Sequence, residues 1–178
     1  QEAAGISRGT FFYHFPSKDD LARALLTRYA ESDRQLVESF MERAEKLARE
    51  PLQQLLIFLV LHEEMFEEME SADPGCLFAS YSYEAGLFDA ETHAVIEGAI
   101  QHWRHVVGGK LRAAMERQPP AVSVDPELLA DVAYSVLQGA FIMSRVEGDG
   151  VVMAQHLRHF RTYLELLFGV AGREVEVA

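Results

Sequence analysis

With 178 residues, of which 49% are hydrophobic and 25% charged, the chain has the length and composition of a globular protein with one or two small domains. Its net charge of −12 is unevenly distributed, because residues 1–30 carry four Lys or Arg against three Asp or Glu. A lone cysteine excludes an internal disulfide framework. The lack of a signal peptide and of any apolar run near the roughly 18 residues of a membrane span predicts a cytoplasmic protein without membrane contact.

The first segment of the chain contains several helix start and stop signals. Gly5 suits the left-handed conformation that closes a helix, and Ser7 suits the N-cap of the next one. Pro16 pushes the residue before it out of the helical region, so a helix of only two turns is predicted over residues 8–15. Residues 17–20, Ser-Lys-Asp-Asp, then predict a capping box at the start of a third helix.

A helix, a turn with glycine and a second helix have the spacing of a helix-turn-helix, whose second helix enters the major groove of DNA. Phe11 and Phe15 lie four residues apart and can anchor one face of the short helix, while polar side chains point away. On spacing alone, a small helical corner whose polar side faces water is as good an interpretation as DNA binding.

The sequence of residues 5–18, Gly-Ile-Ser-Arg-Gly-Thr-Phe-Phe-Tyr-His-Phe-Pro-Ser-Lys, resembles the recognition-helix signature of the TetR/AcrR family of transcriptional regulators. The rest of the chain resembles the family in layout only. The resemblance implies a whole helix before Gln1. It also implies DNA contacts, with a phosphate contact at the last of these positions: Ser7, Arg8, Gly9, Thr10, Tyr13, His14 and Lys18. Phe12 departs from the pattern, since the family usually has a phosphate-binding tyrosine there, and Tyr13 would have to replace that contact.

The next predicted element is a long helix. Apolar residues recur at spacings of three and four from Leu21 to Leu47, which predicts a single helix from Ser17 to about Glu50. Such a helix could join a DNA-binding head to the body of the protein. The alternative is an ordinary core helix that happens to be long.

Pro51 suits the first turn of the following helix, whose first half is apolar on most sides and should be buried. Its second half carries five glutamates, which we interpret as a solvated face: Glu63, Glu64, Glu67, Glu68 and Glu70. Metal capture is the weaker alternative, because no histidine follows His62 at the spacing of a zinc-binding helix.

Residues 71–75 have the composition of a loop, and a short helix rich in small and aromatic residues follows from Cys76. Another long helix begins at Asp89 or Thr92. Gly108-Gly109 lies in its middle and is a plausible position for a kink.

The last two helices follow a proline-rich loop at residues 118–126, and the first of them ends near Gly148. The final helix carries two adjacent apolar stripes: Leu157, Phe160, Leu164 and Leu167 in one, and His156, His159, Tyr163 and Leu166 in the other. The family resemblance implies a homodimer in which these two helices pair with a second subunit. Its candidate contacts are Phe141, Arg145, His159, Phe160, Tyr163 and Leu167. The alternative is a wide surface that faces the chain's own core.

Large aromatic and sulfur-containing side chains lie on helices expected to surround a common interior: Phe58, His62, Met65, Phe66, Cys76, Phe78, Tyr81, Trp103 and Met143. Pockets for small ligands are mostly apolar with a few orienting polar groups, which His62, Tyr81 and Glu84 could supply. The alternative is that these residues fill the core. A narrower hypothesis makes Cys76 a sensor of an electrophile or oxidant.

Together these patterns predict an all-α, TetR-like protein, with a helix-turn-helix head at residues 1–30 and a ligand-binding and dimerisation bundle at residues 31–178. The expected function is a repressor that a hydrophobic or aromatic effector releases from a palindromic DNA operator. The competing hypothesis is a helical bundle with a catalytic or carrier role and a non-functional head. We expect no enzymatic activity, metal or cofactor, because no nucleophile–base pair or phosphate loop is apparent and no third ligand accompanies His102 and His105.

Overall fold

The computed structural model describes residues 5, 7–69, 75–83 and 89–171, and the regular structure within these ranges is helical throughout. The α-helices are α1 (Arg8–His14), α2 (Lys18–Leu47), α3 (Pro51–Glu67), α4 (Leu77–Tyr83), α5 (Ala90–Trp103), α6 (Gly109–Arg117), α7 (Pro126–Glu147) and α8 (Val151–Leu167). The predicted all-α fold is confirmed. Within the described ranges, no helix combines the length and apolar character needed to cross a membrane.

The predicted start and stop signals of the head are confirmed. Gly5 has a φ of 63°, in the left-handed region, and the Ser7 hydroxyl accepts a hydrogen bond from the Thr10 amide at 3.1 Å. Before α2, the Ser17 hydroxyl accepts from the Asp20 amide at 3.0 Å, while the Ser17 amide donates to the Asp20 carboxylate at 3.1 Å. This reciprocal pair is the predicted capping box, and it fixes the point at which α2 begins.

The centre of the body is α3, which packs against α2, α6 and α8. Because this helix is apolar on most of its circumference, it can be covered from several sides at once. Leu55 and Phe58 are 1% and 0% exposed, and on α8 the side chains of Met153 and Leu164 are fully buried. The predicted burial of the first half of α3 is confirmed.

A π-helical turn, Arg104–Gly108, joins α5 to α6 without a loop. Here α7 approaches closely, since a Cβ added to Gly108 would lie 3.7 Å from the Ala130 Cβ. The Trp103 indole donates to the Ala130 carbonyl at 2.8 Å, so the same turn also fixes Trp103. The disruption near Gly108-Gly109 is therefore a widened helical turn, of a kind that is often found at functional sites.

The prediction of a solvated glutamate face on α3 is wrong for Glu63. This residue is 4% exposed, because α8 covers it with two arginines. Arg161 binds both carboxylate oxygens of Glu63, at 2.8 and 3.2 Å, and Arg158 lies 3.5 Å away. Glu64, Glu67 and Glu68 are exposed as predicted, and Glu70 lies outside the described residues. The arginines could not be paired with Glu63 from sequence, because they lie on a helix that is distant along the chain.

The predicted domain boundary at residue 30 falls within α2, which runs without a break from Lys18 to Leu47. On the head side of that boundary, Arg23 forms an ion pair with Glu91 and lies 3.5 Å from Asp89, at the beginning of α5. A continuous helix and an ion-pair cluster thus connect the N-terminal segment to the body. The division into two functional domains stays a prediction.

The buried pair predicts unequal effects for two neighbouring arginine substitutions. Arg161→Met should lower the free energy of unfolding by about 2–4 kcal/mol, because it leaves the Glu63 carboxylate buried without its two-pronged partner. Arg158→Met is the matched control and should cost less than about 1 kcal/mol, since the Arg158 side chain is 49% exposed. Urea unfolding at neutral pH measures both. Equal losses for the two variants would contradict this account of Glu63.

Candidate functional site

The first candidate site is the outer surface of α1. Phe11 and Phe15 are half-buried with ring centroids 5.6 Å apart, so they anchor one side of the helix as predicted. The residues proposed to contact DNA are all exposed: Ser7, Arg8, Gly9, Thr10, Tyr13, His14 and Lys18. Tyr13 is 81% exposed, which makes it the most accessible large side chain of this surface. Their role in DNA binding stays a prediction.

Phe12 occupies the position at which the sequence departs from the recognition-helix pattern. Its ring is 48% exposed, and the Arg8 guanidinium carbon lies 5.6 Å from its centroid. This distance allows a cation–π contact, which orients Arg8 along the exposed side of α1. The Tyr13 hydroxyl is available for the phosphate contact that a phenylalanine cannot make.

The second candidate site is a cavity of about 250 Å³ inside the body, between α2, α3 and α7. Its walls are mostly apolar and aromatic. They are formed by Tyr29, Asp33, Leu36, Val37, His62, Met65, Phe66, Met69, Cys76, Trp103, Tyr134, Leu137, Gln138 and Phe141. An apolar cavity with a few polar groups is the usual form of a small-molecule site.

The polar groups of the cavity cluster at Asp33. Burial raises the pKa of the Asp33 carboxyl to about 6. Burial, followed by the neighbouring Cys76 and Asp33, raises the pKa of the Tyr29 and Tyr134 hydroxyls. Both tyrosines therefore remain protonated hydrogen-bond donors at neutral pH. The Cys76 sulfur lies 4.0 Å from the Tyr134 hydroxyl.

His62 contributes a neutral imidazole to the same cavity. Burial lowers the pKa of His62 to about 4, and its Nδ1 lies 2.8 Å from the Phe58 carbonyl oxygen. Because a carbonyl can only accept, Nδ1 must carry the proton, which leaves Nε2 as an acceptor. The Phe40 and Phe58 rings hold the imidazole, with centroids 4.8 and 4.4 Å from it.

Five of the residues predicted to bind a ligand line this cavity: His62, Met65, Phe66, Cys76 and Trp103. Phe58 is fully buried against His62, while Phe78 and Tyr81 belong to an apolar cluster around Leu26 that adjoins the cavity at Cys76. Met143 is 41% exposed on the outer side of α7, so the expectation that it faces the interior is wrong. Glu84 lies outside the described residues.

Sequence reasoning missed the α2 and α7 walls of the cavity, including Asp33, Tyr134 and Gln138. One signal was present on α2, where Tyr29, Asp33 and Leu36 share a helical face that is otherwise apolar. A charged residue on such a face is uncommon and suggests either a buried partner or a ligand.

Two of the predicted dimer contacts are core residues of this chain. Phe160 and Leu167 are 6% and 5% exposed, because their stripe of α8 packs toward α3. Phe141 lines the cavity and meets the Phe66 ring edge-on at a centroid distance of 6.0 Å. Phe160 and Leu167 therefore face the chain's own core, while a contact of the partly buried Phe141 with a second subunit stays a prediction. The other three candidates are exposed: Arg145, His159 and Tyr163.

The two histidines considered as metal ligands lie on α5 and on the π-helical turn that follows it. His102 Nε2 lies 3.6 Å from the Glu38 carboxylate, and His105 is exposed. Within the described ranges, no group of three or more His, Cys, Asp or Glu residues is arranged to hold a metal ion.

Two segments of the chain match the models of known protein families. Residues 1–25 match the model of bacterial regulatory proteins of the tetR family, and residues 51–160 match the model described as the tetracyclin repressor-like C-terminal domain. The chain belongs to the TetR family. The first match coincides with α1 and its exposed polar residues, and the second covers α3 to most of α8, which form most of the cavity.

A relative with a curated name is also a regulator. The transcriptional regulator AcuR of Cereibacter sphaeroides is 26% identical over 147 residues, which cover 82% of this chain and 65% of AcuR. This chain therefore spans less than two thirds of AcuR. Both the family and this relative are named for regulation and not for an enzymatic activity.

Three solved structures share the fold. A TetR-family transcriptional regulator from Agrobacterium tumefaciens has a TM-score of 0.71 at 20% identity, covering 94% of this chain and 83% of its own. A regulatory protein TetR from Rhodobacter sphaeroides has a TM-score of 0.70 at 24% identity, with coverages of 90% and 82%. The reduced form of E. coli NemR has a TM-score of 0.69 at 18% identity, with coverages of 89% and 80%.

The raised pKa of Asp33 predicts that Asp33→Asn stabilises the protein, and that it does so in a pH-dependent manner. Between pH 4 and 6 the folded chain holds a proton on Asp33 that the unfolded chain has lost, so wild-type stability falls as the pH rises through this window. At pH 7 the free energy of unfolding of the variant should exceed that of the wild type by on the order of 1–3 kcal/mol. Near pH 4 the two proteins should be equally stable. Urea unfolding across this range measures the difference.

Asp131→Asn is the control of opposite sign. The hydrogen bonds from Arg104 lower the pKa of Asp131, so replacing the Asp131 carboxylate with an amide should destabilise the protein at neutral pH. The free energy of unfolding of Asp33→Asn would contradict the raised pKa of the Asp33 carboxyl if it differed from that of the wild type by the same amount at all pH values.

Proposed function

We propose that this TetR-family protein is a homodimeric transcriptional repressor that a small apolar or aromatic molecule releases from a palindromic DNA operator. The observation that carries the proposal is the course of α2. Its first residue, Lys18, belongs to the proposed DNA surface, while Tyr29, Asp33 and Leu36 further along it line the cavity. One rigid element therefore connects the two candidate sites.

Charge distribution supports docking through α1. The acidic residues lie overwhelmingly in the body, whereas the N-terminal segment has a slight excess of basic residues. Phosphates repel an acidic surface, so the body disfavours every orientation except the one that presents α1 to the DNA. In this orientation the exposed side chains of α1 reach the major groove.

In the proposed mechanism, the effector favours a conformation in which the two heads are wrongly spaced for DNA. The 30 residues of α2 span about 45 Å, so a small tilt at the cavity becomes a larger displacement at the head. Arg23 also links the head end of α2 to Asp89 and Glu91 of the α5 region. By linkage, effector and operator must weaken each other's binding by the same factor.

Dimerisation through α7 and α8 is supported by their exposed apolar faces. These helices are antiparallel neighbours, joined by a tight turn in which Gly148 has a φ of 73°. Large apolar side chains remain 38–76% exposed on them: Val132, Ile142, Met143, Val146, Val151, Tyr163 and Leu166. Apolar surface concentrated on adjacent helices is typical of a protein interface. A palindromic operator with half-sites about 34–36 Å apart requires two heads related by a two-fold axis.

Cys76 has less support as a chemical sensor than as a structural residue. It is 5% exposed, and its neighbours are the Tyr29 and Tyr134 hydroxyls and the Asp33 carboxyl. Reactive cysteines occur in electropositive, accessible surroundings, and the cavity walls contain neither Lys nor Arg. We therefore assign Cys76 to the wall of the ligand cavity.

The DNA surface can be tested in the full-length protein by fluorescence anisotropy with operator DNA. Lys18→Ala should weaken binding to all DNA sequences and reduce the salt dependence by about one unit per head, as expected for a phosphate contact. If Arg8 or Tyr13 reads a base edge, its alanine variant should cost about 1–3 kcal/mol at a single base position.

Lys46→Ala is the matched control, because Lys46 lies at the opposite end of α2 and is exposed. Operator affinity and salt dependence should both remain at the wild-type values in this variant. The DNA assignment is wrong if a protein with alanine at Arg8, Thr10, Tyr13, His14 and Lys18 still binds its operator as tightly as wild type.

The dimer surface can be tested with charges at exposed positions. Ile142→Glu combined with Leu166→Glu should give folded monomers by sedimentation and abolish operator binding, because a buried interface would contain four uncompensated carboxylates. Ser39→Glu adds one such charge per chain on the exposed side of α2 and should leave the dimer intact. By contrast, Phe160→Glu places a charge in the core and should unfold the chain. A wild-type protein that is monomeric at micromolar concentration would exclude this interface.

A further inference from the structure

The carboxylate of Asp33 lacks a counter-ion within the described ranges, where it forms neither an ion pair nor a hydrogen bond. By contrast, the buried carboxylate of Glu63 is bound by Arg161 and approached by Arg158. Asp33 is only partly buried, but withdrawing a carboxylate from water without a partner is still costly, and at neutral pH Asp33 must bear this cost as a charged group. The arrangement is explained if the missing partner is a ligand.

Two further polar atoms of the cavity, on Gln138 and His62, also favour a hydrogen-bond donor, whereas the Tyr29 and Tyr134 hydroxyls can donate or accept. Gln138 Oε1 is buried and has no hydrogen-bond partner in the described part of the chain. His62 offers only its Nε2 acceptor, because its Nδ1 proton is used by the Phe58 carbonyl. The cavity therefore offers a carboxylate, an amide oxygen and an imidazole nitrogen as acceptors, and each of them can bind an N–H group.

The remaining walls suit the apolar part of a cationic ligand. Trp103, Tyr134 and Tyr29 present aromatic rings, and the Trp103 and Tyr134 ring centroids lie 5.7 Å apart. Aromatic faces attract ammonium groups, more strongly when water is excluded. No lysine or arginine lines the cavity, so an anionic ligand would meet a carboxylate without any compensating positive charge.

We propose that this cavity binds a small ammonium, a protonated primary or secondary amine on an aromatic or alkyl frame. Its N–H groups donate to Asp33 and Gln138, and its frame packs against Trp103. The cavity volume of about 250 Å³ lies just below the roughly 300–1,000 Å³ of sites for drug-sized ligands, so the frame is small. That this amine acts as the effector rests on the proposed repressor function, whereas its binding does not.

In this proposal, a second depression is the route by which the ligand reaches Asp33. A groove between α2 and α5 is lined by Ala30, Glu31, Asp33, Arg34 and His102, among others. Asp33 therefore borders both the groove and the cavity. Of the other charged or titratable residues near it, Glu31, Arg34 and His102 face the groove, while Tyr29, His62, Cys76 and Tyr134 face the cavity.

The test uses three probes that share one ring and differ in charge: benzylamine, benzyl alcohol and benzoate. Calorimetric titration of the full-length dimer at pH 7.5 should show benzylamine binding at least about tenfold more tightly than the alcohol, and no binding of benzoate. In Asp33→Asn, which keeps the shape of the side chain and should fold more stably, the preference for the amine should disappear. Equal or tighter binding of benzyl alcohol or benzoate by the wild type would overturn the proposal.

The pH profile provides an independent readout. Because Asp33 ionises with a pKa of about 6, benzylamine affinity should rise about tenfold between pH 5 and 7 in the wild type and stay flat in Asp33→Asn. His62 remains neutral over this range, and His102→Gln removes the titrating group on the groove side. A slope that persists in Asp33→Asn, or that vanishes in His102→Gln, would overturn the role of Asp33.

Operator release distinguishes this inference from the proposed function. If benzylamine binds through Asp33 and operator affinity does not change, the ammonium site stands and the switch fails. If only neutral aromatic compounds both bind the cavity and release the protein from its operator, the repressor stands and the ammonium site is wrong.

Discussion

The continuity of α2 is the constraint on which the rest of the structure depends. A helix whose successive carbonyls and amides are hydrogen-bonded cannot absorb a displacement locally, so Asp33 and Lys18 must move together. The capping box at Ser17 fixes where this rigid element begins, and the Arg23 ion pairs add a second link to α5. In the proposed mechanism, this continuity couples the head to the cavity, whichever ligand binds there.

The position of α3 determines which charges the body can tolerate. Because α3 is covered on several sides, a glutamate on it is buried wherever another helix crosses, and Glu63 is stabilised only by the arginines of α8. Asp33 occupies a comparable apolar environment on α2 without such arginines. In the proposed site, the unpaired carboxylate of Asp33 is the group that an external cation would bind.

Local signals in the sequence predicted most of the fold. The caps at Ser7 and Ser17 and the helical periodicity depend on residues within one or two turns, so they can be read without knowing the tertiary structure. The two apolar stripes of α8 could also be seen, but only the position of α3 decides that Phe160 faces inward and Leu166 outward. For the same reason, the cavity residues on α3 were predicted and Tyr134 of α7 was not.

The two faces of α7 suggest which wall of the cavity moves. Its inner face contributes Leu137, Gln138 and Phe141 to the cavity, and its outer face exposes Ile142 and Val146. In the proposed dimer, the partner subunit would clamp the outer face and resist outward movement of α7. Expansion around a ligand would then displace the opposite wall, α2, whose far end bears the proposed DNA surface. Dimerisation would thus do more than pair two heads, because it would direct the response to the ligand toward the DNA.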